Sequence, residues 1–202
     1  MASGYLKVNS VEHRGLLRKP WYHLSITNLE TLSMFSDMFS SWFSSGEAHY
    51  NQFVGALLKG NLKEMNIYMN DVALSTFSSF DTGTHPSRRS QPERFFHGFV
   101  LGLISDLRDI YEIKSNRESG YGRYDIMLIP ADIHDKTHDG IVLEFKVHDA
   151  DGEATLADTA QAALRQIDDK NYDAELINRG IPKSRIQHYG FAFEGKKVLI
   201  SK

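Results

Sequence analysis

From Gly140 to Val147 the chain reads Gly-Ile-Val-Leu-Glu-Phe-Lys-Val. A run so rich in β-branched and aromatic residues predicts a strand in the middle of a sheet. Alternation puts Glu144 and Lys146 on the same face of that strand, about 7 Å apart. Two charges emerging side by side from an apolar strand are costly to bury unless they point into a site. The alternative reading of the pair is a structural ion bridge at the strand's end. Either way, a central strand obliges the rest of the chain to supply a sheet and the helices that cover it.

The neighbours are legible on both sides. Pro92 suits a first helical position and is followed by Glu93, which predicts a buried helix over Phe95 to Leu107. Strand-like runs come next at Tyr111–Ser115 and Arg123–Pro130, separated by a Ser-Gly-Tyr-Gly turn. After Gly140–Val147 comes an alanine-rich helix over about Ala154–Asn171, whose small residues allow close packing on a sheet. Ile186–Phe193 and Lys197–Ile200 form a hairpin through Glu194-Gly195. The order from residue 92 is helix, three strands, helix, strand, strand, an α/β fold with a mixed sheet flanked by helices. Ahead of it, apolar spacing predicts helices over 28–45, 48–59 and 62–77, with Gly60-Asn61 as a stop. We divide the chain into an N-terminal helical extension, 1–90, packed on a core, 91–202.

Composition narrows the function. There is no cysteine, which excludes disulfides, thiolate zinc sites and cysteine nucleophiles. No apolar run approaches the ~18 residues of a membrane span, and the mixed polar start lacks a secretory signal's apolar core. A soluble cytoplasmic protein with no membrane partner is the expectation. The net charge of −3 is unevenly spread: residues 131–175 hold twelve acids against four bases, and 176–202 six bases against one acid. The acidic stretch includes a solvated loop from Asp132 to Asp139.

Asp125 opens an apolar strand directly after the glycine-bearing turn, one strand away from Glu144. Together they make a pair of hard oxygen ligands that leaves positions for water and phosphate, as magnesium prefers. A divalent ion there lowers the pKa of its water and screens a scissile phosphate. Lys146 is a mobile point charge suited to orienting that water. Gln166 and Lys170, four residues apart on one helix face, can extend toward a substrate backbone.

An aspartate at a strand start, Glu-x-Lys on the next strand and a helix bearing glutamine resemble the PD-(D/E)XK nuclease superfamily, whose restriction-endonuclease-like core has the same element order. The strings Glu118–Asp125, Leu143–Val147 and Tyr189–Lys196 are similar to a branch commonly fused behind an AAA-ATPase-like domain. The chain itself has no G-x-x-x-x-G-K-[ST] phosphate loop. The resemblance implies a catalytic set of Asp125, Glu144, Lys146 and Gln166, with Mg2+ or Mn2+ held by Asp125, Glu144 and the Phe145 carbonyl. By the same likeness His97 is a further metal ligand or substrate contact, and Glu93 an acidic residue of the first core helix. RecB-like relatives carry Gln-x-x-x-Tyr, whereas Tyr172 here lies six residues after Gln166 and Lys170 stands in the fourth place.

Arg88, Arg89, Lys114, Arg117 and Arg123 edge the site as a positive rim, and phosphate contacts drive nucleic-acid affinity. We take Arg117, Arg123 and Lys170 as substrate contacts. The function expected is a metal-dependent nuclease acting on DNA, ahead of RNA. The alternative is a catalytically silent nucleic-acid- or partner-binding module of the same fold, regulatory to an ATPase.

Overall fold

The structure is a computed structural model that describes residues 6–14, 18–31, 33–34, 50–76 and 90–202. The chain divides into two compact units, Met1–Glu47 and Ala48–Lys202. In the first, β1 (Leu6–Arg14) and β2 (Lys19–Ile26) pair antiparallel, with a bulge between Val8 and Ser10. This hairpin lies where the sequence patterns predict no element, at the head of a segment that reads as helical. The bulge is the reason, because one extra residue throws Leu6, Val8 and Val11 out of strict alternation. Residues 29–31 and 33–34 are helical. The remainder of the helix expected over 28–45 lies outside the described residues, as do Arg88 and Arg89.

The second unit opens with two helices, α1 (Tyr50–Lys59) and α2 (Leu62–Thr76), close to their expected bounds. Helix α3 (Ser90–Leu103) and a 3-10 turn (Ser105–Asp109) lead into β3 (Tyr111–Ser119), β4 (Gly122–Pro130) and β5 (Gly140–Val147). Helix α4 (Leu156–Asp169) is opened by a Thr155–Asp158 capping box. The short α5 (Ala174–Asn178) and the hairpin β6 (Ile186–Glu194) and β7 (Lys197–Ser201) complete the chain. The sheet runs β3-β4-β5-β6-β7, antiparallel except for the parallel β5–β6 pair. This five-stranded mixed sheet with its helices is compatible with a restriction-endonuclease-like fold. Among the described residues no helix is long and apolar enough to cross a membrane.

Helix packing secures the sheet at two places. Its β7 edge is closed by α2: Asn66 bonds both the N–H and the C=O of Ile200 (2.8 and 3.0 Å), and Asn70 does the same to Val198 (3.0 and 2.8 Å). Spaced four apart, the two amides stand in for a sixth strand's backbone. On β6, a Cβ at Gly190 would lie 2.4 Å from the Ala160 carbonyl and 3.1 Å from Ala163 Cβ. Only glycine lets α4 lie this close to the sheet, on the face that carries Glu144, Gly190's partner in the parallel ladder.

Candidate functional site

The strand register makes the site. Pairs Ile126–Leu143, Met127–Val142 and Leu128–Ile141 join β4 to β5. The next positions, Asp125 and Glu144, therefore stand opposite one another, and both line one cavity. The ladder stops there, and the backbone N–H of Phe145 donates to Asp125 Oδ2 instead (2.8 Å). In the same transverse row Asn116 falls opposite Asp125 on β3, between the pairs Ser115–Ile126 and Arg117–Tyr124. Asn116 has φ +52°, a conformation uncommon outside glycine and most tolerated by asparagine and aspartate. The row Asn116, Asp125, Glu144, Gly190 is thus where the regular sheet gives way. A cavity of about 520 Å³ opens over it, lined by Glu93, His97, Asn116, Arg123, Asp125, Glu144 and Gln166.

Gln166 organises the buried side of this cavity. Its Nε2 donates to Glu144 Oε1 and to the Tyr172 hydroxyl (3.2 Å), while its Oε1 accepts from Lys146 Nζ (2.7 Å). Among the described residues Glu144 and Lys146 make no ion pair; the glutamine amide stands between them. Tyr172 in turn donates to the Arg123 carbonyl (2.7 Å). Its six-residue separation from Gln166 is explained by the end of α4 at Asp169, after which Asn171 (φ +52°) turns the chain back on itself. The tyrosine so returns to the amide.

Both carboxylates are disfavoured as anions by their setting. Glu144 is only 3% exposed, and its Oε2 has no hydrogen-bond partner among the described residues. Burial, followed by the negative charge of Asp125, pushes the Glu144 pKa well above the usual carboxylate range, against the pull of Lys146. Burial raises Asp125 as well, opposed by the Phe145 N–H and the Lys146 charge. The paired acids and the orphaned oxygen suit a divalent cation with hard oxygen preferences. Among the described residues no group of three or more His, Asp or Glu side chains gathers closely enough to hold a metal. The donor set that fits is the carboxylate pair, completed from outside it.

The other expected residues are distributed around this pair. His97, on α3, places Nε2 3.2 Å from the Asp125 carbonyl and 3.0 Å from Ser115 Oγ, and burial lowers its pKa. Glu93 lines the cavity one turn earlier. Arg123 reaches it from β4, whereas Arg117 lines an adjoining groove along β3. Lys170 caps α4 and does not line the cavity, accepting the Tyr121 N–H at its carbonyl (2.7 Å) while its side chain lies against Gly122. Lys114 is taken up by Glu175 and Glu112. Asn116 and Ser115 join the site without a strong sequence signal. Their one mark is a polar stretch that β3 continues through, beyond its expected end at Ser115.

Residues 91–202, more than half of the chain, match the family model described as the PD-(D/E)XK nuclease superfamily. No curated protein and no solved structure gives a match. The match begins at α3 and ends with the last strand, and it encloses the Asp125 and Glu144-Phe145-Lys146 strings; the chain belongs to the PD-(D/E)XK nuclease superfamily.

Proposed function

We propose that the protein is a metal-dependent nuclease that hydrolyses phosphodiester bonds of nucleic acid, DNA ahead of RNA, in the cavity over Asp125 and Glu144. The observation that carries this reading is the buried Oε2 of Glu144, unpartnered among the described residues, opposite a second carboxylate. Two anions facing each other in a desolvated row are unfavourable by themselves and favourable around a cation. Asp125 and Glu144 are the ligands, with the Phe145 carbonyl as the third protein donor and Mg2+ or Mn2+ as the ion. Bound there, the ion supplies a more acidic water and neutralises charge on the scissile phosphate.

Every other role belongs to the chain's own groups. Lys146, steadied by Gln166 Oε1, orients the attacking water and offsets negative charge building on the phosphate. Gln166 fixes Glu144 and Lys146 relative to one another, and Tyr172 fixes Gln166. His97 holds the Asp125 carbonyl and the Ser115 hydroxyl, a supporting role, since Nε2 is already engaged. Glu93 adds negative charge at the cavity mouth, and Arg123, Arg117 and Lys170 meet substrate phosphates. An AAA-ATPase-like domain is the proposed protein partner, supported by the likeness of the strings 118–125, 143–147 and 189–196.

The test pairs cleavage with stability. Purified protein is incubated with single-stranded, duplex and branched DNA and with RNA, in Mg2+, Mn2+ or chelator, beside Lys146→Met. Methionine keeps much of the stem's packing and deletes the charge. The expected result is cleavage only with metal, slowed about a hundredfold or more in the variant, with cooperative melting retained and stability lowered by no more than the loss of one hydrogen bond, about 1 kcal/mol. Undiminished cleavage in the variant or in chelator contradicts the assignment. No cleavage by the wild type on any substrate turns the reading to a silent binding module.

A further inference from the structure

Beside the cavity lies a larger groove of about 1160 Å³, between the outer edge of β3 and α5. Asn116 and Arg123 line both depressions, so the two adjoin at the left-handed residue opposite Asp125. The groove's cations are not equivalent. Arg179 is held by Glu112 (2.6 Å) and Glu175 (3.4 Å), and Lys114 by the same two acids. Arg117 and Arg123 are exposed, and their side chains make no ion pair among the described residues; Glu118, Arg123's partner across the hairpin, does not reach it. The uncommitted positive charge thus sits at the end next to the carboxylates.

The turn beside Ser119 and Gly120, which line the groove, carries an aromatic ring held in water. Tyr121, in the turn between β3 and β4, is 80% exposed. Its backbone is nevertheless fixed: its N–H is bonded to the Lys170 carbonyl (2.7 Å). Gly120 beside it (φ +58°) is pressed so closely on the Lys170 and Asn171 carbonyls that a Cβ would lie 2.2 and 2.3 Å from them. Ser119 Oγ adds a bond to the Tyr172 carbonyl (2.8 Å). A pinned turn presenting an unpacked ring is a stacking platform, and the strand rise sets it about 13 Å from Asp125.

We propose that this edge is the track for a single nucleic-acid strand, with phosphates on Arg117 and Arg123 and a base stacked on Tyr121 a few nucleotides from the scissile bond. The substrate class is then single-stranded nucleic acid, or a single-stranded tail beside a duplex. A ring stacks on an interior base only where that base has left its neighbours, which interior duplex bases have not. Two uncommitted guanidiniums in one groove follow one phosphate path. The proposal rests on the nuclease reading for the position of the scissile bond.

Fluorescence anisotropy of a short labelled DNA strand, and of the same sequence as a blunt duplex, tests it with calcium as the metal. The single strand is expected to bind at least about tenfold tighter than the duplex. Tyr121→Ala should weaken single-strand binding by about tenfold and Tyr121→Trp should restore it, as expected for a base stack. Arg117→Gln with Arg123→Gln should lower the salt slope by about one for each phosphate no longer bound. Equal or tighter duplex binding, an unaffected Tyr121→Ala, or binding of neither form overturns the proposal. Because binding is read apart from cleavage, a wild type that cuts DNA while ignoring Tyr121 overturns only this inference. One that binds as expected and never cuts leaves the track standing and overturns the hydrolytic reading.

Discussion

Replacing Glu144 with glutamine should stabilise the metal-free protein, although it removes a residue of the proposed centre. The wild-type side chain is 3% exposed, with one oxygen held by Gln166 and the other unpartnered among the described residues. An unsatisfied buried polar atom costs about 1–3 kcal/mol, and more when charged. Glutamine can keep the contact with Gln166 and, unlike the acid, needs no proton taken up on folding at a pH above the ordinary carboxylate range, so a gain of about 2 kcal/mol at pH 8 in chelator is expected. In a unit of this size 1 kcal/mol moves Tm by about 2–4 °C, which gives a rise of about 4–8 °C. The pH dependence fixes the sign. Glu144's pKa is raised from 4.5 to about 9 in the folded state, so folding favours its proton. The stability of the wild type is full below the ordinary value and is lost as pH rises through that window. Asp125, raised in the same direction, adds a slope that the variant keeps. The assay is thermal melting of both proteins in chelator from pH 5 to pH 9. The variant's advantage should grow with pH and vanish at the acid end. A variant less stable at pH 8, or an advantage independent of pH, would show that folding does not favour Glu144's proton.

Packing supplies two further tests. Gly190→Ala drives a methyl into the Ala160 carbonyl and the Ala163 and Leu164 side chains of α4. It should cost about 1–3 kcal/mol in urea unfolding and slow cleavage by displacing Gln166; a variant with unchanged stability and rate contradicts the close approach. Asn66→Ala with Asn70→Ala strips four hydrogen bonds from the β7 edge. It should destabilise by at least about 2 kcal/mol and promote self-association at the bared edge, readable by melting and light scattering. An unchanged melt would show that water replaces the amides at no cost.

The sequence carried the sheet because each strand from β4 to β7 is an apolar run bounded by turn residues. It carried Asp125, Glu144 and Lys146 because charges inside such runs stand out, and strand alternation puts Glu144 and Lys146 on one face. What it hid depends on long-range register. Asn116 belongs to the site only because β3 continues beyond Ser115 and places it opposite Asp125. Gln166's double contact with Glu144 and Lys146 requires the depth of α4, which Gly190 sets from a strand many residues away. Tyr172 looks mis-spaced only while a helical count continues past Asp169, where the helix has in fact ended. Asn66 and Asn70 read as ordinary helix polar residues until β7 is known to be an edge. The N-terminal hairpin escapes a reading by pattern because a bulge breaks its alternation and Pro20 argues against a strand.

The proposed chemistry depends on Asp125 and Glu144 forming one divalent-cation site. Calorimetric titration of Mn2+ into wild type, Asp125→Asn and Glu144→Gln at neutral pH measures that site without relying on cleavage. Saturable binding by the wild type is expected, with protons released as the raised carboxylates ionise, and binding weakened at least about tenfold in each variant. Wild-type protein that binds no Mn2+, or variants that bind it as tightly as the wild type, would contradict a shared site.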